Sequence, residues 1–354
     1  MKITLMYELL KISLLITVVF TTNVFSQERH VVQGSAAISR FPLFECQRVV
    51  DNYRGAAIGH TVTTAGHLLR IPLIETAIET GLGPVSHDLY NECDGLTPQD
   101  SSTLNIDTVP IIEIDPEGEV VTGYIVADNY FELYIDGRVI SVDSTPFTPF
   151  NSSVFRFKAS KPYTITVLVI DWDEHLGLGM ELFPQGPGSE RLSSGNAWHT
   201  GDAGLLLRLS DGTVTDASWR VQTFSIAPLD DPGEVVERGS VHDTSHRGRS
   251  NSNFVKPDCA TQSMQPQGED RLYPQLSLIN SNCYAVHYPV PDNWRDASMN
   301  DTIWPSAEIY TNDEVGTRNL PAFNRFPNLF QNAQWIWSSN LVLDNLVIAR
   351  KTVN

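Results

Sequence analysis

The chain has 354 residues, a formal net charge of −18 at pH 7, and 41% hydrophobic residues. A surface with this excess of negative charge repels nucleic acid and anionic lipid, so both are disfavoured as partners. Calcium, neutral glycans or basic partners suit such a surface better. The length is sufficient for one large hydrophobic core or two smaller ones.

Residues 1–26 are typical of a secretory signal peptide. Lysines precede an apolar run at residues 12–20, and Val24 and Ser26 occupy the small-residue positions of a cleavage site. The apolar run is shorter than the about 20 residues that cross a bilayer. We therefore expect cleavage before Gln27 and a secreted, extracellular protein without an integral membrane segment.

The cysteines of an exported chain predict disulfide bonds. Several pairings are open, and the positions favour pairs that each close a loop within one region of the chain. The absence of a Cys-x-x-Cys pair argues against a zinc site. The two favoured pairs are Cys46–Cys93 and Cys259–Cys283.

Residues 27–106 form a small mixed N-terminal region with one expected helix. Apolar residues recur at helical spacing over Leu68–Thr80, with Pro72 in the first turn and a glycine-rich stop from Gly81. Polar, turn-rich residues 97–105 then indicate a boundary.

Residues 107–228 contain a series of strand patterns separated by turn signals, which is typical of an all-β sandwich or jelly roll. Tyr130–Ile135 alternates, as a half-buried strand does, and Asp136-Gly137 predicts a hairpin turn. Thr164–Ile170 is almost continuously apolar, which predicts a central strand covered on both faces. The alternation sets Tyr130, Glu132 and Tyr134 on one face and Phe131, Leu133 and Ile135 on the other.

The rest of the chain, from residue 229 onward, divides into two parts. Residues 229–275 show no hydrophobic periodicity, which predicts an irregular linker. Residues 276–354 contain C-terminal strand patterns, which are expected to complete the sandwich or to add a second one.

Three segments resemble the galactose-binding-like β-sandwich modules of secreted glycosidases and lectins. Ala127–Gly137 is similar to their Ala-Asp-Asn strand and turn, and Asn293–Ala307 and Ala333–Trp337 are similar to their tryptophan-rich elements. Here the tryptophan-rich elements follow the Ala-Asp-Asn strand, the reverse of the usual order. The resemblance implies a galactose-binding-like or jelly-roll sandwich and a carbohydrate-related, mostly non-catalytic function.

The densest polar cluster follows the expected central strand. Carboxylates at a strand end can converge on Ca²⁺, which takes several oxygen ligands, and a neighbouring Trp can stack on a sugar. A solvated loop with Trp172 packing inward is the alternative. The candidate ligand-binding residues are Asp128, Asn129, Asp171, Trp172 and Asp173, and the candidate calcium ligands are Asp171, Asp173 and Glu174.

Histidines offer a second metal hypothesis. His60, His67 and His87 are of the type that binds zinc or copper, as in a secreted metal-binding protein or a metal-dependent enzyme. His242 and His246 have a spacing that binds metal on a helix, but their surroundings do not favour a helix.

The sequence offers no convincing catalytic motif, since it has neither a Gly-x-Ser-x-Gly elbow nor a phosphate-binding glycine loop. Asn151 and Asn300 match the N-glycosylation acceptor pattern. We therefore expect a secreted, non-catalytic binding protein that recognises a carbohydrate at a cell surface or matrix. The alternatives are the metal-binding protein or metal-dependent enzyme and a structural extracellular matrix or surface protein.

Overall fold

The computed structural model describes residues 28–45, 55–145, 151–173, 175–182, 198–261, 282–317 and 320–354. Antiparallel strands dominate this part of the chain, and its helices are short, so the all-β prediction is confirmed. The signal peptide prediction concerns residues outside the described ranges. None of the described helices is long and apolar enough to cross a membrane.

Strands and helices are numbered in chain order. The helices are α1 (Ala77–Thr80), α2 (Asp258–Thr261) and α3 (Pro321–Asn324). The strands are β1 (His30–Gln33), β2 (Ala37–Glu45), β3 (Gly55–Val62), β4 (Leu68–Ile71), β5 (His87–Tyr90), β6 (Ile111–Glu113), β7 (Glu119–Asp128), β8 (Tyr130–Ile135), β9 (Arg138–Val142), β10 (Ser152–Ala159), β11 (Tyr163–Ile170), β12 (Met180–Leu182), β13 (Trp198–Thr200), β14 (Gly204–Leu209), β15 (Arg220–Leu229), β16 (Val236–Arg238), β17 (Val241–Asp243), β18 (Tyr284–His287), β19 (Glu308–Tyr310), β20 (Trp335–Trp337) and β21 (Asp344–Val353).

Two large sheets form a sandwich. Sheet I has the order β1-β18-β15-β21-β11-β8-β9, and sheet II has the order β19-β20-β14-β7-β10-β5, with β6 alongside β10. The main core lies between them and contains Phe131 and Val167 from sheet I and Leu207 and Phe157 from sheet II. Small sheets pair β2-β3-β4, β12-β13 and β16-β17.

The C-terminal strands belong to the same two sheets as residues 107–228. Strand β21 lies between β15 and β11 in sheet I, and β20 lies between β19 and β14 in sheet II. Two strands of the N-terminal region, residues 27–106, also belong to these sheets: β1 lies in sheet I and β5 lies in sheet II.

Strand β8 shows the predicted alternation, but its predicted half-burial is wrong. Phe131, Leu133 and Ile135 face sheet II, and Tyr130 and Tyr134 pack on the opposite side. That side is covered as well, since Glu132 accepts a hydrogen bond from the backbone N–H of Ala77. Residues distant in sequence therefore bury both faces. The Asp136-Gly137 turn is confirmed, with φ values of 49° and 80°.

Strand β11 is the predicted central strand. All of its residues are buried, and it pairs with β21 on one side and β8 on the other. This confirms the expectation from its apolar composition.

The helix predicted over Leu68–Thr80 is wrong in its first half. Leu68–Ile71 is strand β4, which pairs with β3, and only Ala77–Thr80 is helical. Pro72 disfavours a helical conformation in the residue before it, so no helix continues through Ile71. Gly81 ends the short helix with a φ of 65°, as predicted.

The segment predicted to be an irregular linker contains the β16-β17 hairpin and α2. Three-residue strands are too short to show a period in the sequence. The Cys259–Cys283 disulfide is confirmed, with Cα atoms 5.2 Å apart. Cys93 is also disulfide-bonded, and Cys46 lies outside the described residues.

Candidate functional site

The predicted ligand-binding residues come together, but they are buried. Asp128 and Asn129 stand at the β7-β8 connection, and Asn129 Oδ1 accepts a hydrogen bond of 2.6 Å from the backbone N–H of Trp172. All five predicted residues, including Asp171 and Asp173, are buried. The neighbouring cavity of about 20 Å³ has room for little more than a water molecule.

Trp172 packs inward, which was the alternative interpretation of this segment. Its ring meets Tyr130 edge-to-face at 5.5 Å, and its Nε1 donates to the Ala57 carbonyl at 3.0 Å. A sugar could stack on Trp172 only if these neighbours moved away.

The candidate metal ligands give no assembled site among the described residues. No three His, Cys, Asp or Glu side chains within those ranges form a group that could hold a metal ion. His60 lies on β3, His67 in the β3-β4 turn, and His87 on β5 in sheet II. Glu174, one of the three candidate calcium ligands, lies outside the described ranges.

The two glycosylation candidates differ in accessibility. Asn151 is buried, and its Nδ2 donates to Asp143 Oδ1 at 2.7 Å, so the folded structure leaves no room for a glycan there. Asn300 is exposed, and its Oδ1 accepts hydrogen bonds from the backbone N–H and the hydroxyl of Thr302.

A concave surface of about 830 Å³, here called the groove, lies beside β15. Phe224 and Trp304 lie at its base, where both side chains are buried, and their rings meet edge-to-face at 5.9 Å. Both belong to the apolar cluster on the face of sheet I that is turned away from sheet II. The groove is further lined by the apolar residues Pro291, Met299 and Ile303 and by the polar residues Gln222, Arg238, Ser240, Asn293 and Asn300.

One wall of the groove is the segment from Pro291 to Trp304, and Arg350 fixes it to sheet I. The Arg350 guanidinium donates to the Asp301 carboxylate at 3.0 Å and to the carbonyls of Trp294 and Asp296 at 2.7 and 2.9 Å. Its remaining bond reaches the Thr166 hydroxyl on β11 at 2.7 Å. This buried side chain therefore joins the wall to the central strands.

The β16-β17 hairpin forms the opposite wall. His242 on β17 stacks flat on Tyr288 with ring centroids 3.5 Å apart, and burial lowers the pKa of His242. Tyr288 in turn donates to Glu237 at 2.9 Å. Ser240 reaches across the groove to the Ile303 carbonyl, so the two walls are in direct contact.

A second, more polar cavity, here called the chamber, has a volume of about 340 Å³ and shares Gln222 and Val241 with the groove. Asp344 lies beneath it and receives a hydrogen bond of 2.6 Å from the Ser338 hydroxyl. Burial raises the pKa of Asp344 to about 8. The polar lining of the chamber includes His242, Asp243, Arg249, Ser306, Glu308 and Ser339.

The sequence placed Trp294 and Trp304 in a segment that resembles a tryptophan-rich element, but it did not identify the groove. A usable signal was the polar stretch between these tryptophans, which includes Arg295, Asp296 and Asn300, because polar side chains beside a buried aromatic residue suit a binding wall. No protein-family model, curated protein or solved structure matches the chain.

Proposed function

We propose that this protein is a secreted, non-catalytic binding protein that recognises a neutral carbohydrate in the groove beside β15. The observation that carries this proposal is the groove itself, in which apolar side chains, among them the exposed Ile303, lie next to polar side chains. Ligand sites commonly combine a mainly apolar surface with a few placed polar groups.

The chemistry of a sugar suits this arrangement. The C–H face of a sugar ring packs against apolar surface such as the exposed Ile303, while its hydroxyls need polar partners such as Asn293 and Arg238. The net charge of −18 disfavours polyanionic glycans, so a neutral glycan at a cell surface or matrix is the proposed ligand. The fold we propose for this function is the galactose-binding-like sandwich that the sequence motifs resemble.

Calcium remains part of the proposal at Asp171, Asp173 and Glu174. Because the two aspartates are buried, an ion there would stabilise the segment after β11 and would not touch a sugar in the groove. Chelation should then lower the melting temperature and affect glycan binding only through stability.

A glycan array with the chain from Gln27 to Asn354, in calcium and in chelator, tests the proposal. Two matched variants remove one exposed apolar side chain each: Ile303→Ser in the groove and Leu82→Ser outside it, with side chains 68% and 69% exposed. We expect Ile303→Ser to lower the affinity at least about tenfold, equivalent to about 1.4 kcal/mol, and Leu82→Ser to leave it unchanged. A blank array, or equal binding by both variants, contradicts the proposal.

A further inference from the structure

We propose that the chamber is a second subsite that receives the terminal unit of a glycan whose following units lie in the groove. This inference rests on the proposed carbohydrate binding and names the part of the ligand that is recognised. The two cavities adjoin at Gln222 and Val241, so a chain-like ligand in the groove reaches the chamber without crossing the sandwich core.

The two cavities differ in chemistry. The groove is floored by apolar side chains, whereas hydroxyl and charged groups surround the chamber. An internal sugar unit presents its ring faces, and a terminal unit adds hydroxyls that are otherwise used in linkages. The polar cavity therefore suits the end of the chain and the apolar groove suits the units behind it.

Gln222 stands at the junction and has an unused acceptor. Its Nε2 donates to the Thr223 carbonyl at 3.1 Å and lies 3.0 Å from His242 Nδ1, which fixes the amide. Its Oε1 is buried and has no hydrogen-bond partner among the described residues. A buried acceptor without a partner has lost its hydrogen bonds to water, so an occupant that supplies a hydroxyl donor is favoured.

The charges of the chamber indicate the class of terminal unit. Arg249 is already paired with Glu308 at 3.5 Å and Glu314 at 3.4 Å, whereas Asp243 lines the chamber with a carboxylate. The surroundings are therefore net negative. They favour a neutral hexose or an amino sugar and disfavour a uronic acid at the end of the chain.

The chamber can be closed without altering the groove. Ser339 and Ser306 both line it, and Ser306 is exposed, so a larger side chain at Ser306 does not disturb the core. Ser339→Phe and Ser306→Phe fill the chamber, and Ser339→Ala and Ser306→Ala are their controls that keep it open. Melting temperatures of all four variants show whether each remains folded.

The probes are neutral oligosaccharides of glucose, mannose or galactose with two to six units. Each is used free, with a bulky aromatic group attached at either end, and with a uronic acid as the terminal unit. Affinity is measured by calorimetry with the wild-type chain, the chamber variants and Ile303→Ser.

One end of the oligosaccharide enters the chamber. We expect the wild type to bind the free oligosaccharide at least tenfold more tightly than the form that carries the aromatic group at that end. Ser306→Phe and Ser339→Phe should lower the affinity for the free form to that of the modified one, and the alanine controls should not. If Ile303→Ser weakens binding while both phenylalanine variants and both end modifications have no effect, the groove binds glycans and the chamber inference is wrong. If no oligosaccharide binds the wild type, the proposed function fails, and the inference fails with it.

Discussion

Replacing Arg350 with methionine tests how the groove wall is held. Arg350 is 1% exposed and donates to the Asp301 carboxylate, the Thr166 hydroxyl and the carbonyls of Trp294 and Asp296. Methionine fills most of the same volume, so the main loss is these hydrogen bonds and the ion pair. Removing one partner of a buried ion pair costs about 3–5 kcal/mol.

The loss should appear in both stability and binding. A urea titration should show the Arg350→Met chain about 3–5 kcal/mol less stable than the wild type. The segment from Pro291 to Trp304 loses its attachment to β11 and β21, so affinity for a groove-binding oligosaccharide should fall as well. Lys351→Met is the matched control, because the neighbouring Lys351 makes one hydrogen bond to the exposed Ser218 and should change stability by less than about 1 kcal/mol.

Arg350→Lys separates charge from geometry, since lysine keeps the charge but cannot donate in several fixed directions at once. We expect its stability to lie between that of the wild type and that of Arg350→Met. The reasoning is refuted if Arg350→Met unfolds within about 1 kcal/mol of the wild type and binds equally well.

Three further predictions follow from burial, cross-linking and exposure. Burial raises the pKa of Asp344 to about 8, so its stabilising contribution is complete below about pH 4 and is lost as pH rises through about 8. Wild-type stability should fall by about 4 kcal/mol between urea titrations at pH 5 and pH 9, and Asp344→Asn should remove this pH dependence; an unchanged dependence contradicts the assignment. The double variant Cys259→Ser, Cys283→Ser should lose about 3–4 kcal/mol, because the cross-link spans 24 residues, and an unchanged urea midpoint is the opposing result. Expressed in a host that attaches N-glycans, the folded chain should carry one at Asn300 and none at Asn151, and peptide mass spectrometry that finds Asn151 occupied contradicts its burial.

The sequence by itself determined the strand-rich class and several local features. The alternation over Tyr130–Ile135, the turn at Asp136-Gly137 and the apolar run of β11 all appear in the structure. Each depends on neighbouring residues, because the side-chain period of a strand and the φ requirement of a tight turn are local properties. The Cys259–Cys283 bond was also predictable from its position within one region.

The tertiary structure alone decided which polar residues are accessible. Asp171, Trp172 and Asp173 looked like a surface cluster, but residues near Ala57 and Ile71 cover them from the N-terminal part of the chain. Leu68–Ile71 likewise became a strand because β3 was available to pair with it.

The groove has the same origin, because tertiary contacts bring together β15, the β16-β17 hairpin and the 291–304 segment, and Arg350 bonds that segment to β11. Hydrophobic period and turn chemistry report on a few consecutive residues, whereas a concave surface depends on contacts between residues far apart in the chain. The sequence therefore determined the strands, and the packing of distant segments decided where a ligand has room to bind.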